Sequence, residues 1–304
     1  MTDQLPQISV AICTRDRPDD LLLCLESISL LNDVPDQVIV IAGSNESCPT
    51  EIQTQFPTLN VLVATCPENN ISNSRNMGLQ LAEHEIVLFI DDDATARSGW
   101  VSEYRNAFAE NPQLWIAGGL VFDSRTDPME LEFRHGLISA TGKQVAVREN
   151  KFATPHRYQT NVKGCNFAVR VHEIQKVGSF DSFFAFSFDE ADLVMTIHQH
   201  RGQVQFLSNA IVDHAHSPGH YRNSHQLDRD WKTEYASHTM FMLKHSVGLY
   251  RLIGWIIIIA RVLKLSTRCL IHFIAHPKQG MQRLTSVLQA IHGIRYARKV
   301  YYQV

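Results

Sequence analysis

The chain has 304 residues, 44% of them hydrophobic, which is enough to bury a sizeable core and excludes a disordered polymer. Its net charge is only −3, but residues 1–234 carry 18 Lys and Arg against 31 Asp and Glu (−13), whereas residues 235–304 carry ten Lys or Arg and no acid. Six scattered cysteines without CxxC spacing exclude a disulfide framework, and no uncharged apolar run approaches the ~20 residues that span a bilayer.

In chain order, 8–13 reads as a strand and 18–31 as a helix, with Asp19 and Asp20 suited to its first turn. A second strand at 37–41, a short helix at 49–56, a third strand at 60–64, a helix at 72–82 and a fourth strand at 85–90 follow. Strands separated by helices imply βαβ units and a parallel sheet, whose ligands sit at the carboxyl ends of strands. The loops after Cys13, Ile41 and Ile90 are therefore the places for a site. From Trp100 to about Arg148 the pattern weakens, with one strand at 118–122. Order returns over 162–170; a helix starts near His172, another covers 189–201, and 204–207 and 210–212 read as short strands.

The fourth strand, Glu85-Ile86-Val87-Leu88-Phe89-Ile90, runs straight into Asp91-Asp92-Asp93. Three adjacent carboxylates at the end of a buried strand are costly without a partner. Such a cluster can hold a hard divalent cation that a diphosphate shares, or it can be a solvated turn. Asp189-Glu190 opens a predicted helix, where the residues alone read as an acidic first turn favoured by the dipole. Asp192 reads as a capping or pairing residue. Arg75, taken alone, reads as a surface charge on a helix. Thr14 and Arg15 stand just past the first strand, where their donors could reach a nucleotide, and Arg17-Pro18 reads as a helix start.

These segments resemble glycosyltransferase family 2. Ile8-Ser9-Val10-Ala11-Ile12-Cys13-Thr14-Arg15-Asp16-Arg17 is similar to the family's opening strand and loop. Asn73-Ser74-Arg75-Asn76-Met77-Gly78 is similar to its Arg-Asn-x-Gly segment, and Phe89-Ile90-Asp91-Asp92-Asp93 to its metal-binding DxD motif. Gly164-Cys165-Asn166-Phe167-Ala168-Val169-Arg170, then Val177-Gly178-Ser179-Phe180-Asp181, then Asp189-Glu190-Ala191-Asp192-Leu193 resemble its acceptor-side half. The resemblance covers roughly residues 7–216. It implies an α/β fold of GT-A type, with a mixed, mostly parallel central sheet flanked by helices, occupying 1–234, and a helical C-terminal appendage over 235–304.

The resemblance further implies an inverting transferase that uses Mg²⁺ or Mn²⁺ and a nucleoside-diphosphate sugar, acting on a saccharide or lipid-linked saccharide. It assigns the metal to Asp93, the ribose to Asp91 and an orienting contact to Asp92. It turns Arg75 toward the nucleotide and brings His214 to the diphosphate or the metal. The family's base is the Asp of a Glu-Asp pair; here the order is swapped, so position selects Glu190, while Asp189 remains open. The family also reads the nucleotide base with an Asp after the second strand, where this chain has Ala42. Ser44, Asn45 or Glu46 could take that contact, so UDP is the default and dTDP or GDP stay open. A non-catalytic relative that binds the nucleotide sugar or scaffolds glycan assembly is the alternative.

Between Tyr250 and Pro277, Arg261, Lys264, Arg268 and His272 share one helical face opposite Ile, Leu, Val and Phe. That pattern predicts a helix lying in the plane of an anionic membrane, ended by Pro277 and followed by a second helix over 281–301. The alternative is a helical appendage packed on the domain with its basic face solvated. The tail resembles no nucleic-acid module. Met1–Pro6 lacks the basic start and apolar core of a signal peptide, and the expected location is the cytoplasm, peripheral on the cytoplasmic face of the membrane.

Overall fold

A computed structural model describes residues 5–44, 47–49, 51–123, 134–148, 158–217, 230–275 and 277–303. Its first half follows the predicted alternation: β1 (Ile8–Thr14), α1 (Pro18–Ser29), β2 (Gln37–Ala42), α2 (Ile52–Gln55), β3 (Val61–Thr65), α3 (Ile71–Leu81) and β4 (Ile86–Asp91). Strands β2 and β4 are almost wholly buried, as parallel strands covered on both faces must be. Alternate residues feed two cores. Val10, Ile12, Val40 and Leu88 meet Leu21, Leu25 and Ile28 of α1 on one side. Ala11, Ile39, Val87 and Phe89 meet Leu79 and Phe167 on the other.

The second half departs from the expected irregular stretch. β5 (Ala94–Ala96) and α4 (Trp100–Glu110) lead into β6 (Leu114–Asp123), which is twice the predicted length. A separate three-stranded antiparallel sheet follows, with β7 (Arg134–Ser139) between β8 (Gln144–Arg148) and β9 (Tyr158–Asn161). Then come β10 (Asn166–Arg170), α5 (Val171–Lys176), α6 (Asp189–Gln199) and β11 (Gln203–His214). The main sheet has eight strands in the order β3-β2-β1-β4-β10-β6-β11-β5; β10 runs antiparallel to both neighbours.

The two short strands expected at 204–212 are one strand, β11, carrying a bulge. Leu207 pairs with Gly119 of β6 and Ile211 with the next residue, Leu120, so Ser208, Asn209 and Ala210 are extra. Asn166 closes this junction from inside. Its side-chain oxygen accepts from Trp100 Nε1 and Tyr104 Oη, both at 2.8 Å, and its amide donates to the carbonyls of Leu120 and Ala210, both at 2.9 Å. Gly119 lies so close that an added Cβ would stand 2.2 Å from the Ala210 carbonyl oxygen.

The C-terminal region is three helices: α7 (Trp231–His245), α8 (Gly248–Ala275) and α9 (Pro277–Tyr301). α7 is built into the domain: Ala236, Met240 and Phe241 pack with Ile138, Phe184, Ala191 and Met195. Pro277 ends α8 but also opens α9, since proline fits a first helical turn, where its missing N–H is not needed. Of the basic face expected on α8, Lys264 and Arg268 are exposed, whereas Arg261 departs. Arg261 turns inward, where it bonds Glu234 and His238, each at 2.6 Å, over the Tyr235 ring. Among the described residues no helix is long and apolar enough to cross a membrane.

Candidate active site

The site lies where β1, β4 and β11 end and α6 begins. Parallel pairing sets Cys13 beside Asp91, so the first loop and the aspartate run leave the sheet together. The three carboxylates then part. Asp92 is fully buried, and Arg17, at the cap of α1, grips it with two donors, Nε to Oδ2 at 3.1 Å and Nη2 to Oδ1. Burial pushes the Asp92 carboxyl up to about 7, against the pull of the Arg17 guanidinium and the Thr14 hydroxyl.

Asp93 is buried as well. Its Oδ2 accepts from Arg17 Nη1 at 3.1 Å and from the Ser217 backbone N–H at 3.0 Å. Its Oδ1 lies 3.1 Å from His214 Nε2, and its carbonyl accepts from the Ala215 N–H. Asp91 is the most accessible of the three, with its side chain 21% exposed, 3.8 Å from His214 Nε2 and 3.7 Å from Arg75 Nη2. Asp91, Cys165 and His214 each bring a ligand atom to within 4.8 Å of one another.

Arg75 bridges to the second acidic group. One nitrogen bonds the buried carboxylate of Asp189, and the other donates to the Gly164 carbonyl at 2.8 Å. The guanidinium lies over Phe167 (5.3 Å) and Phe180 (5.8 Å), which stiffen it. Next to it, Asn76 and the Phe180 backbone exchange two hydrogen bonds, at 2.8 and 3.0 Å, tying α3 to the segment before α6. A Cβ on Gly164 would stand 3.0 Å from Arg75 Nη2 and 3.7 Å from the Glu190 carboxyl carbon, so this glycine lets arginine and glutamate approach one turn of backbone. Glu190 is half-buried, and among the described residues no hydrogen bond or ion pair engages its carboxylate.

α7 holds the start of α6. Phe188 precedes Asp189 with φ of 70°, a left-handed conformation that a bulky residue rarely adopts. Its ring stacks on His238 and packs on Phe241, with centroids 5.4 and 5.0 Å away. Asp192, one turn on, is buried against Lys244 Nζ (2.8 Å) and His245 Nε2 (2.7 Å), which matches the pairing role expected for it. Lys244 also reaches Asp181 at 2.7 Å.

Of the other sequence candidates, Thr14 is buried at the end of β1 beside Asp92, whereas Arg15 and Ser44 are engaged away from the three aspartates. The Arg15 guanidinium donates to the carbonyls of Cys66, Pro67 and Glu68, organising the loop after β3. The Ser44 hydroxyl contacts those of Ser47 (2.8 Å) and the Asp16 carboxylate (3.4 Å). Ala42 is the buried last residue of β2, and Asn45 and Glu46 lie outside the described residues.

The glycosyl transferase family 2 model matches residues 9–172, more than half of the chain. The chain belongs to glycosyltransferase family 2. A glucosyl-dolichyl phosphate glucuronosyltransferase of Haloferax volcanii is 29% identical over 119 residues, which is 38% of this chain and 38% of that protein. This family 2 chain thus matches well under half of that relative's length. Among solved structures, it resembles GalNAc-T7 bound to UDP, GalNAc and Mn²⁺, with a TM-score of 0.61 at 13% identity over 79% of this chain and 48% of the other. It also resembles the mannosyltransferase PcManGT of Pyrobaculum calidifontis bound to GDP-Man and Mn²⁺, with a TM-score of 0.54 at 12% identity over 97% and 88%. At such identities the likeness is one of fold, and the fold is GT-A.

Two residues of this family 2 site carried no role in the sequence reading. Arg17 was a helix start, although a run of three carboxylates at a strand end calls for a cation, and the opening loop supplies only Arg15 and Arg17. Cys165 stood inside a matching segment without a function. Burial, with Asp91 close by, pushes its thiol well above the usual range.

Proposed function

We propose that this chain is a metal-dependent inverting glycosyltransferase that moves a sugar from a nucleoside-diphosphate donor to a hydroxyl of a saccharide or lipid-linked saccharide. One observation carries the reading: the Arg75 guanidinium bonds Asp189 and lies 3.7 Å from Asp91, so the strand-end acids and Glu190 flank one fixed cation. In this reading the donor-side and acceptor-side groups share one arginine.

The residues fit a divalent cation. Carboxylate and imidazole both ligate Mn²⁺, and His214 Nε2 stands 3.1 Å from Asp93 Oδ1 and 3.8 Å from Asp91 Oδ2. In this reading Asp93 and His214 hold Mg²⁺ or Mn²⁺, Asp91 takes the ribose, and Asp92 locked by Arg17 orients both neighbours. When bound, the cation supplies Lewis-acid stabilisation of charge on the leaving diphosphate. Mn²⁺ accompanies the nucleotide in both structural relatives named above, which supports a divalent ion here.

Glu190 is the general base of the proposed reaction. Among the described residues its carboxylate has no partner, whereas Asp189 is engaged by Arg75 and serves to position it. The acceptor O–H gives its proton to Glu190 as its oxygen bonds the anomeric carbon. The bond from that carbon to the donor diphosphate breaks on the opposite face, which inverts the centre. The donor is assigned as a UDP sugar by family pattern, with dTDP and GDP sugars as alternatives because Ala42 offers no base contact. The dolichyl-phosphate-linked substrate in the name of the Haloferax relative supports a lipid-linked acceptor and a peripheral position at a membrane; the cytoplasmic face is part of the proposal.

The test pairs binding with turnover. UDP, dTDP and GDP are each added with Mn²⁺, and the melting temperature is followed; the cognate nucleotide raises it. Asp93→Ala is expected to abolish the Mn²⁺-dependent rise, and Glu190→Ala to keep it while losing transfer. Full transfer by both folded variants overturns the assignment. Nucleotide binding by the wild type without hydrolysis or transfer to any acceptor leaves a binding protein.

A further inference from the structure

We propose that the outer face of α8, with the adjoining end of α9, docks the protein on an anionic lipid bilayer. Leu252, Ile256, Ile259, Leu263, Leu270 and Ile274 are each between 56% and 72% exposed. They recur at intervals of three, four or seven residues and so form one stripe along a helix of 28 residues. Only Gly254, Ile258, Leu265 and Cys269 of α8 are buried, on the side that meets the rest of the chain. The apolar side therefore points away from the protein, and the stripe is far larger than the scattered apolar residues of an ordinary surface.

The charge around the stripe selects the occupant. Lys264 and Arg268 are exposed along one edge. On the other edge Arg298 of α9 lies 5.6 Å over the Trp255 ring. Arg295, Arg298, Lys299, Tyr302 and Gln303 line a shallow hollow of about 390 Å³, and no carboxylate of the described residues pairs with its three cations. From 235 to 304 the chain has no acid at all. An apolar stripe bordered by unpaired cations and an aromatic ring matches the acyl boundary of a bilayer with anionic headgroups alongside. A second copy of the chain would instead set two regions of charge +10 against each other. Arg261, Lys264 and Arg268 interrupt the apolar run of α8, so in this proposal the helix lies in the membrane plane and does not cross it.

The inference deepens the proposed lipid-linked acceptor and rests on that reading for the biological sense of the contact, but docking is measured without donor or acceptor. The purified full chain is sedimented with vesicles of phosphatidylcholine, with or without phosphatidylglycerol. It is expected to bind the mixed vesicles, and binding should fall at least tenfold in Ile256→Glu/Leu263→Glu. That variant should keep the wild-type melting temperature, because both residues are exposed. Arg295→Gln/Lys299→Gln should lose the preference for phosphatidylglycerol. Wild-type binding to neither vesicle, or undiminished binding by the Glu variant, overturns the proposal. So does a wild-type dimer by light scattering that the Glu variant converts to monomer, since a second copy then covers the stripe. A chain that docks yet transfers no sugar sinks the catalytic reading and leaves this one standing.

Discussion

Arg75 and Asp189, 114 residues apart in sequence, form a buried ion pair that joins α3 to the first turn of α6. Removing one partner of such a pair leaves an uncompensated buried charge. Arg75→Met is therefore expected to lower unfolding free energy by about 3–5 kcal/mol, measured by denaturant unfolding. Arg75→Met/Asp189→Leu should recover part of that loss. If the double variant is merely additive, the two side chains do not act as a unit.

Glu190→Gln keeps the size of the side chain but not its basicity. Loss of a positioned base is expected to cut kcat by roughly 10²–10⁴. The melting temperature should stay at the wild-type value, because among the described residues no contact of the Glu190 carboxylate is lost. A variant with near-wild-type kcat would remove Glu190 from the mechanism.

Arg17 holds two buried carboxylates at once. Arg17→Met should destabilise the fold by about 3–5 kcal/mol at neutral pH. Arg17→Lys should rescue little, since an ammonium cannot reproduce the forked contact to Asp92. Equal stability of Arg17→Lys and wild type would show that charge alone suffices.

His238 supplies a pH dependence. Its Nε2 lies 2.9 Å from the Thr141 carbonyl oxygen and its Nδ1 accepts from Arg261. Burial, then the Arg261 charge, pulls its pKa from 6.5 down to about 4. Between those values the unfolded chain takes up a proton that the folded chain refuses. Stability should therefore fall as pH drops from 6.5 toward 4, by roughly 3 kcal/mol from this group. In His238→Gln the fall across that window should be shallower, and parallel curves would exclude the histidine as its source.

The parallel half of the fold was legible because strands covered on both faces are continuous apolar runs, as at 38–41 and 86–90. α4 was not read, although Trp100, Val101, Tyr104, Ala107 and Phe108 recur at helical spacing; the buried Arg105 and the polar residues between them hid the stripe. Arg105 is tolerated there because Asp33 and Asp36 pair with it from the loop before β2. The small sheet joins a short β7–β8 hairpin to β9, and the polar residues within and around these strands blur the alternation that would announce them. In the site, chain order placed the acids and Arg75, but it could not show that Asp189 is ion-paired while Glu190 is not. That distinction depends on a contact across 114 residues.

The bulge in β11 works as a ruler. Beyond it, Asp213 points outward to an exposed pair with Arg97, and His214 points inward to Asp93. Successive strand residues face opposite sides, so one residue more or less among 208–210 would exchange them. The site would then receive a further carboxylate in place of its imidazole, and the net charge facing a ligand would change without any substitution in the site itself. The length of this short segment, more than its composition, decides which chemistry the end of the strand presents.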